Sequence, residues 1–133
     1  MSTTIAIFGA GGKMGCRIAD NLKDSEYRVL YVEVSPAGLE RLTQRGLSTT
    51  AHEEAVAQAD VAVFALPDNL IGKVAPGIVP GLKPGAMVIC LDPAAPFGGE
   101  LPERKDITYF VTHPCHPPII NDEVDPEARR DFF

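Results

Sequence analysis

The sequence predicts a three-layer α/β fold, a doubly wound parallel sheet with helices on both faces. Three observations lead there. Short apolar runs recur along the chain, as in Ile5-Ala6-Ile7-Phe8, Val61-Ala62-Val63-Phe64 and Met87-Val88-Ile89-Cys90. Segments of helical period lie between them, and a glycine cluster follows the first run. Apolar strands alternating with helices mark a parallel sheet covered on both faces. With 133 residues the chain holds one domain.

Thr4-Ile5-Ala6-Ile7-Phe8 is continuous, apolar and β-rich, which suits a strand buried on both faces. From Lys13 to Asp24 the period becomes helical. Met14, Ile18 and Leu22 share one face, and Lys13, Arg17, Asp20 and Asp24 share another. Arg28 to Val32 forms the second strand. Pro36 opens a helix that runs to about Arg45, where Gly46 stops it. Leu47 to Thr49 is expected to form a short third strand. Thr50-Ala51-His52-Glu53 has the capping-box form and starts a helix through Gln58. Val61 to Ala65 is the fourth strand.

Asp68 is expected to cap a helix from about Asn69. Pro76 costs about 3 kcal/mol in a helix interior, which predicts a kink or stop at Ala75. Met87 to Leu91 is the fifth strand, Asp92 to Glu103 a loop rich in proline and glycine, and Ile107 to Val111 the sixth strand. Beyond Thr112 the chain is Pro-rich, then acidic, without a clear period. Phe132 and Phe133 have no partner element after them. The chain therefore reads as a piece of a longer protein, the alternative being a short tail folded back on the sheet.

Composition narrows the function classes. Apolar residues make up 45% and charged residues 23%, as in ordinary globular domains. No run approaches the ~18 apolar residues of a membrane span, and Met1-Ser2-Thr3-Thr4 shows no secretion signal. The net charge of −6 and the lack of a Lys/Arg cluster argue against nucleic acid as a partner. Cys16, Cys90 and Cys115 are irregularly spaced and read as free thiols, which places the protein in a reducing, cytoplasmic compartment.

The glycine cluster carries the first chemical signal. Gly9, Gly12 and Gly15 give G-x-x-G-x-x-G, with Gly11 in addition. The strict G-x-G-x-x-G pattern fails at Met14. The physical task remains possible: Gly9 allows a tight turn, Gly11 and Gly12 let backbone N–H groups approach a pyrophosphate, and Gly15 brings the helix close to the sheet. The cluster from Gly9 through Ala10, Gly11, Gly12, Lys13 and Met14 to Gly15 is therefore the candidate cofactor loop of a Rossmann-type domain. Glu33 closes the second strand 18 residues after Gly15, where such a domain places an acid for ribose hydroxyls. A carboxylate there repels a 2′-phosphate, and Val34-Ser35-Pro36 supplies no arginine, so NAD is preferred over NADP. Leu66, Pro67 and Asp68 follow the fourth strand and are expected beside the cofactor's middle.

The second signal is Thr112-His113-Pro114-Cys115-His116-Pro117-Pro118, directly after the last strand and so on the same ligand-binding edge. Its spacing is not that of a structural zinc site. His113 and His116 are the catalytic candidates, since a neutral imidazole takes a proton from a hydroxyl as hydride leaves the same carbon. One of them could instead ligate a catalytic metal, or the prolines could simply hold a rigid polar loop. Cys115 reads as packed, not nucleophilic.

Ile5 to Gly15, Ala65-Leu66-Pro67-Asp68-Asn69 and Thr112 to Pro118 together resemble the D-apionate oxidoisomerase family, which groups with the β-hydroxyacid and 6-phosphogluconate dehydrogenases. Asn121-Asp122-Glu123 and Asp125 to Arg130 extend the resemblance over essentially the whole chain. The histidine segment is its most particular part, and Pro76-Gly77 departs from the family pattern. The resemblance implies residues 1–133 as the dinucleotide-binding domain of a protein about twice as long. Its C-terminal helical domain, which helps form the active site and the homodimer, is absent from this chain. It also implies NAD-dependent oxidation of a sugar acid, D-apionate, coupled to isomerisation to 3-oxo-isoapionate. Such an α-ketol shift gains from a Lewis acid, which makes His113 a candidate ligand for a divalent metal. The competing readings are a stand-alone NAD-binding regulatory module, which has no need of the histidine loop, and a metal-binding accessory protein, which has no need of the glycine loop.

Overall fold

A computed structural model of the chain describes residues 2–113 and 125–127. The elements in order are β1 (Thr4–Phe8), α1 (Lys13–Leu22), β2 (Arg28–Val32), α2 (Pro36–Gln44), α3 (His52–Gln58), β3 (Val61–Phe64), α4 (Asp68–Ile78), β4 (Met87–Cys90), α5 (Ala94–Phe97) and β5 (Thr108–Val111). A 3₁₀ turn, Val79–Gly81, extends α4. The strands form one sheet in the order β2-β1-β3-β4-β5, and every pair is parallel.

Alternation along β1 separates two cores. Ala6 and Phe8 pack with Val56, Ile71, Ala75, Ile78 and Val79 on the face covered by α3 and α4. Ile5 and Ile7 pack with Ala10, Ala19 and Leu42 on the face covered by α1 and α2. The fold is therefore the three-layer, doubly wound α/β sandwich that the strand–helix alternation predicts. No helix among the described residues is long and apolar enough to cross a membrane.

Register positions the site. Val32, Phe8, Phe64, Cys90 and Val111 lie at one level across the sheet. The residues that follow them leave along one carboxyl edge. The winding reverses between β1 and β3, because β2 lies on one side of β1 and β3 on the other. Open sheets of this type bind ligands in the crevice at that switch point.

Several local expectations are corrected. Leu47 to Thr49 does not form a strand; Thr49 makes one isolated parallel bridge to Tyr31, so the sheet has five strands. The capping box is not made. Ala51 is the N-cap of α3, without a side-chain cap, while the Thr50 amide donates to the Tyr31 carbonyl at 2.8 Å. Pro67, not Asp68, is the N-cap of α4, and Asp68 is an acid in the first turn, where the helix dipole favours it. The helix does not stop at Ala75 but runs through Pro76 to Ile78. Ile71, Ala75 and Ile78 are buried against the sheet while Pro76 is exposed, so tertiary packing outweighs the local cost of the proline. The Arg104 guanidinium donates to the carbonyls of Val79 and Leu82 at 2.8 and 2.9 Å, satisfying acceptors where the helix ends. The expected loop after β4 contains the short helix α5. β5 is not buried on both faces, since Phe110 is 50% and Val111 40% exposed.

Candidate functional site

The glycine loop folds as a compact turn between β1 and α1. Gly9 takes φ 81°, and a Cβ there would overlap the Ala65 carbonyl oxygen. The N–H groups of Gly9 and Ala10 both donate to the Val32 carbonyl at 3.0 Å, and the Gly12 N–H donates to the Gly9 carbonyl at 3.0 Å. At Gly15 a Cβ would collide with the Gly9 carbonyl and the Ala10 backbone, so α1 starts hard against the loop. Gly11 faces the other way. Its N–H donates to Glu33 Oε2 at 2.9 Å, and its carbonyl accepts from the Arg41 guanidinium. A Cβ on Gly11 would overlap the Gly38 backbone. Gly11 and Gly12 thus commit their N–H groups within the protein. The first turn of α1, just beyond them, carries the positive end of the helix dipole.

Glu33 is anchored as tightly as the loop. Its Oε1 accepts the N–H groups of Val34 and Ser35, each at 2.8 Å. Partial burial works to raise its pKa. The N–H groups of Ser35 and Val34, the Ser35 side chain and the Gly11 N–H outweigh that and hold the carboxyl below its ordinary value.

One pocket of about 320 Å³ opens at the carboxyl edge. Its walls are Gly12, Lys13 and Met14 at the start of α1, Ala65 to Asp68 between β3 and α4, Leu91 and Asp92 after β4, and His113 after β5. Phe64 and Ile71 close its apolar floor. Of the residues singled out by sequence, the fold therefore gathers Gly12, Lys13, Met14, Leu66, Pro67, Asp68 and His113 around one space. Gly9, Ala10, Gly11 and Gly15 shape the loop behind it, and Glu33 stands on the β2 side. His116 lies outside the described residues.

Asp92 is the residue that sequence reasoning missed. Its Oδ2 lies 3.6 Å from His113 Nδ1, and the Leu91 carbonyl oxygen lies 3.3 Å from the same nitrogen. The only sequence signal was its place after an apolar strand, in a segment read as loop. Among the described residues no three His, Cys, Asp or Glu side chains converge to hold a metal ion. Cys90 is buried and its thiol pushed up to about 11 by that burial, which leaves it unreactive.

A doubly wound sheet with a glycine turn feeding a helix start, and a cleft at the switch point, defines a Rossmann-type dinucleotide-binding domain. The family model for the acetohydroxy acid isomeroreductase, NADPH-binding domain, matches residues 1–114, and the chain belongs to that family. Relatives named D-apionate oxidoisomerase are similar to it. The protein from Cupriavidus necator is 58% identical over 100% of this chain and 49% of its own length. The protein from Rhizobium rhizogenes is 59% identical over 98% of this chain and 48% of its own. The chain thus spans about half the length of the curated relatives it matches. A crystal structure from Cupriavidus necator, described as a semialdehyde dehydrogenase NAD-binding protein in complex with calcium and NAD, superposes with a TM-score of 0.87 at 58% identity, covering 100% of this chain and 49% of that one. An NADH-preferring ketol-acid reductoisomerase from an uncultured archaeon, 24% identical with a TM-score of 0.72 over 84% of this chain and 36% of its own, shares the fold.

Proposed function

We propose that this chain is the NAD-binding part of an NAD-dependent oxidoreductase acting on a sugar-acid hydroxyl, with D-apionate as substrate and 3-oxo-isoapionate as product. The observation that carries the reading is the pocket itself, which is lined by both the start of α1 and His113. The names of its relatives supply the substrate, and the family's name already pairs isomerisation with redox chemistry. Although the family description names NADPH, the anchored Glu33 carboxylate favours NAD here. It offers acceptors to ribose hydroxyls and repels a 2′-phosphate.

When bound, NAD supplies the acceptor for a hydride. The chain's own part is to cradle the pyrophosphate at the first turn of α1, to hold the ribose at Glu33 and to shield the nicotinamide end with Leu66, Pro67 and Ile71. His113 takes the proton of the 2-hydroxyl as the hydride leaves the same carbon, giving a 2-oxo acid. The hydroxymethyl group then migrates from the tertiary carbon to that carbonyl carbon. A proton passes from the tertiary hydroxyl to the new alkoxide, and the step consumes no further oxidant. His116 is the second candidate for proton transfer, and His113 the candidate ligand should a divalent metal assist the shift. The other half of the cleft and the homodimer contact come from the length the relatives have beyond this chain. A stand-alone NAD-binding regulatory module is the second reading, but it leaves a histidine in the pocket without a task.

The test is NADH formation from D-apionate by a protein of the relatives' full length that carries this chain. His113→Ala is expected to lower turnover on the order of 10²-fold or more with little change in NAD affinity. A parent protein that forms no NADH from D-apionate overturns the substrate. Unchanged turnover in His113→Ala overturns its role as base.

A further inference from the structure

We propose that the groove between α4 and α5 is a substrate subsite, and that it takes an unphosphorylated polyhydroxy acid with a single negative charge. The proposal rests on the reading of this chain as part of a sugar-acid oxidoreductase, and it names the substrate class of that same site.

A cavity of about 520 Å³ lies between the first half of α4 and the segment of α5. Asp68 lines both this groove and the pocket that contains His113, so the two spaces meet at one residue. A molecule that reacts beside His113 can extend past Asp68 into the groove. Asn69 and Lys73 are four apart on α4 and share the face that lines it. Glu100 faces them from the α5 side.

The backbone builds the position of Glu100. The Gly98 N–H donates to the Ala94 carbonyl at 2.9 Å, and the Glu100 N–H donates to the Ala95 carbonyl at 3.0 Å. Gly99 between them takes φ 75°, which favours glycine. This turn brings Glu100 onto α4 at Gly72, where a Cβ would fall 2.1 Å from Glu100 Oε2. Glycine is unfavourable inside a helix, and here it makes room for that carboxylate.

One cation and two acids thus share a cavity. Among the described residues, the side chains of Asp68, Asn69, Lys73 and Glu100 make no hydrogen bond or ion pair with another protein group. Opposite charges that line one space without pairing leave their bonding capacity to a solute. An ammonium only donates, a carboxylate only accepts, and an amide does both. A substrate carboxylate accepting from Lys73 and Asn69, with hydroxyls donating to Asp68 and Glu100, satisfies all four. A phosphate ester carries close to two negative charges and would face two acids against one lysine. D-Apionate has one carboxylate, several hydroxyls and no phosphate.

The test is calorimetry on a protein of the relatives' full length that carries this chain. It is saturated with NADH, so that no hydride acceptor is present, and titrated with D-apionate or 6-phospho-D-gluconate. The parent is expected to bind D-apionate, and the phosphorylated acid at least about tenfold more weakly. Lys73→Met is expected to weaken D-apionate binding about 10–100-fold, the scale of a lost hydrogen bond to a charged group, with NADH affinity unchanged. Lys73→Arg should recover most of the loss. Glu100→Gln should narrow the gap between the two acids. No D-apionate binding by the parent, unchanged affinity in Lys73→Met, or an equal fall in NADH affinity overturns the subsite. Equal affinity of the parent for both acids overturns the substrate class. Failure of the functional reading looks different: D-apionate then binds through Lys73, but the parent given NAD forms no NADH from it.

Discussion

The Glu33 carboxylate accepts the Gly11 backbone N–H at 2.9 Å across a separation of 22 residues. This bond joins the acid that closes β2 to the loop that closes β1. In the sequence the two features are parts of one cofactor pattern, linked only by their spacing. The fold makes them one unit, with Arg41 on the carbonyl of the same glycine and Gly38 packed against both Gly11 and Glu33.

Cofactor choice follows from that unit. The chain is expected to bind NAD at least tenfold more tightly than NADP, a difference of about 1.4 kcal/mol, because a 2′-phosphate would meet the Glu33 charge. Glu33→Gln removes the charge and leaves Arg41 on the neighbouring glycine, so the gap should narrow mainly through a gain in NADP affinity. Calorimetry with both nucleotides decides it. Equal affinities in the parent would remove the assignment of Glu33.

The loop glycines should separate into two kinds. A Cβ on Gly15 would overlap the Gly9 carbonyl and the Ala10 backbone, so Gly15→Ala must displace the turn or the helix. It is expected to weaken NAD binding by well over tenfold and to lower the melting temperature. A Cβ on Gly12 would lie 3.2 Å from the Gly9 carbonyl and 3.8 Å from that of Ala65, so Gly12→Ala should fold with little loss. A bulky residue at Gly12, which lines the pocket, should abolish binding without unfolding the sheet. Retained NAD binding in such a variant would mean that the loop does not cradle the phosphates.

These contrasts show what the sequence could and could not reveal. The strands of the sheet core and the glycine turn were legible because their signals are local: a continuous apolar run, a φ only glycine tolerates, a change of period. Glu33 was legible by position, but its three backbone partners were not. The Thr50–Glu53 box failed because the Thr50 amide is engaged by the Tyr31 carbonyl, a partner from a distant strand. Pro76 misled because its cost is local, whereas Ile71, Ala75 and Ile78 gain their burial from the sheet. Asp92 was invisible for the same reason, since its meaning depends on β4 and β5 lying side by side.

Arg104 should behave as the keystone of the α4 terminus. Its guanidinium donates to two carbonyls, those of Val79 and Leu82, and pairs with Asp106. Arg104→Ala leaves those acceptors without their donor at a helix end. The urea midpoint is expected to fall below that of the parent. Arg104→Lys should recover only part of it, because a single ammonium lacks the planar fork. An unchanged midpoint, as for an ordinary surface substitution, would show that water replaces the guanidinium.

Acid should weaken the fold through particular carboxylates. Asp60 joins the lower edge of the sheet: its Oδ2 accepts the Thr4 N–H at 2.8 Å, and its Oδ1 accepts from Lys83 Nζ at 2.5 Å. The Lys83 hydrogen bond, and then that of Thr4, hold its pKa below the ordinary 3.8. Asp106, beside Arg104, is lowered too, and Glu33 lies below its ordinary 4.5. A group whose pKa is lower in the folded state contributes stability above its unfolded value, and that contribution disappears as pH falls through the folded value. The parent should therefore keep a level melting temperature down to the ordinary carboxylate range and lose it below. Asp60→Asn should melt lower than the parent at neutral pH, and the two curves should converge by about pH 2 as the parent's carboxyl is protonated. The Lys83 pair is half exposed, so the neutral-pH gap should shrink with added salt. A gap that stays constant from neutral to acid pH would mean that Asp60 acts through its shape and its hydrogen bond to Thr4, and not through its charge.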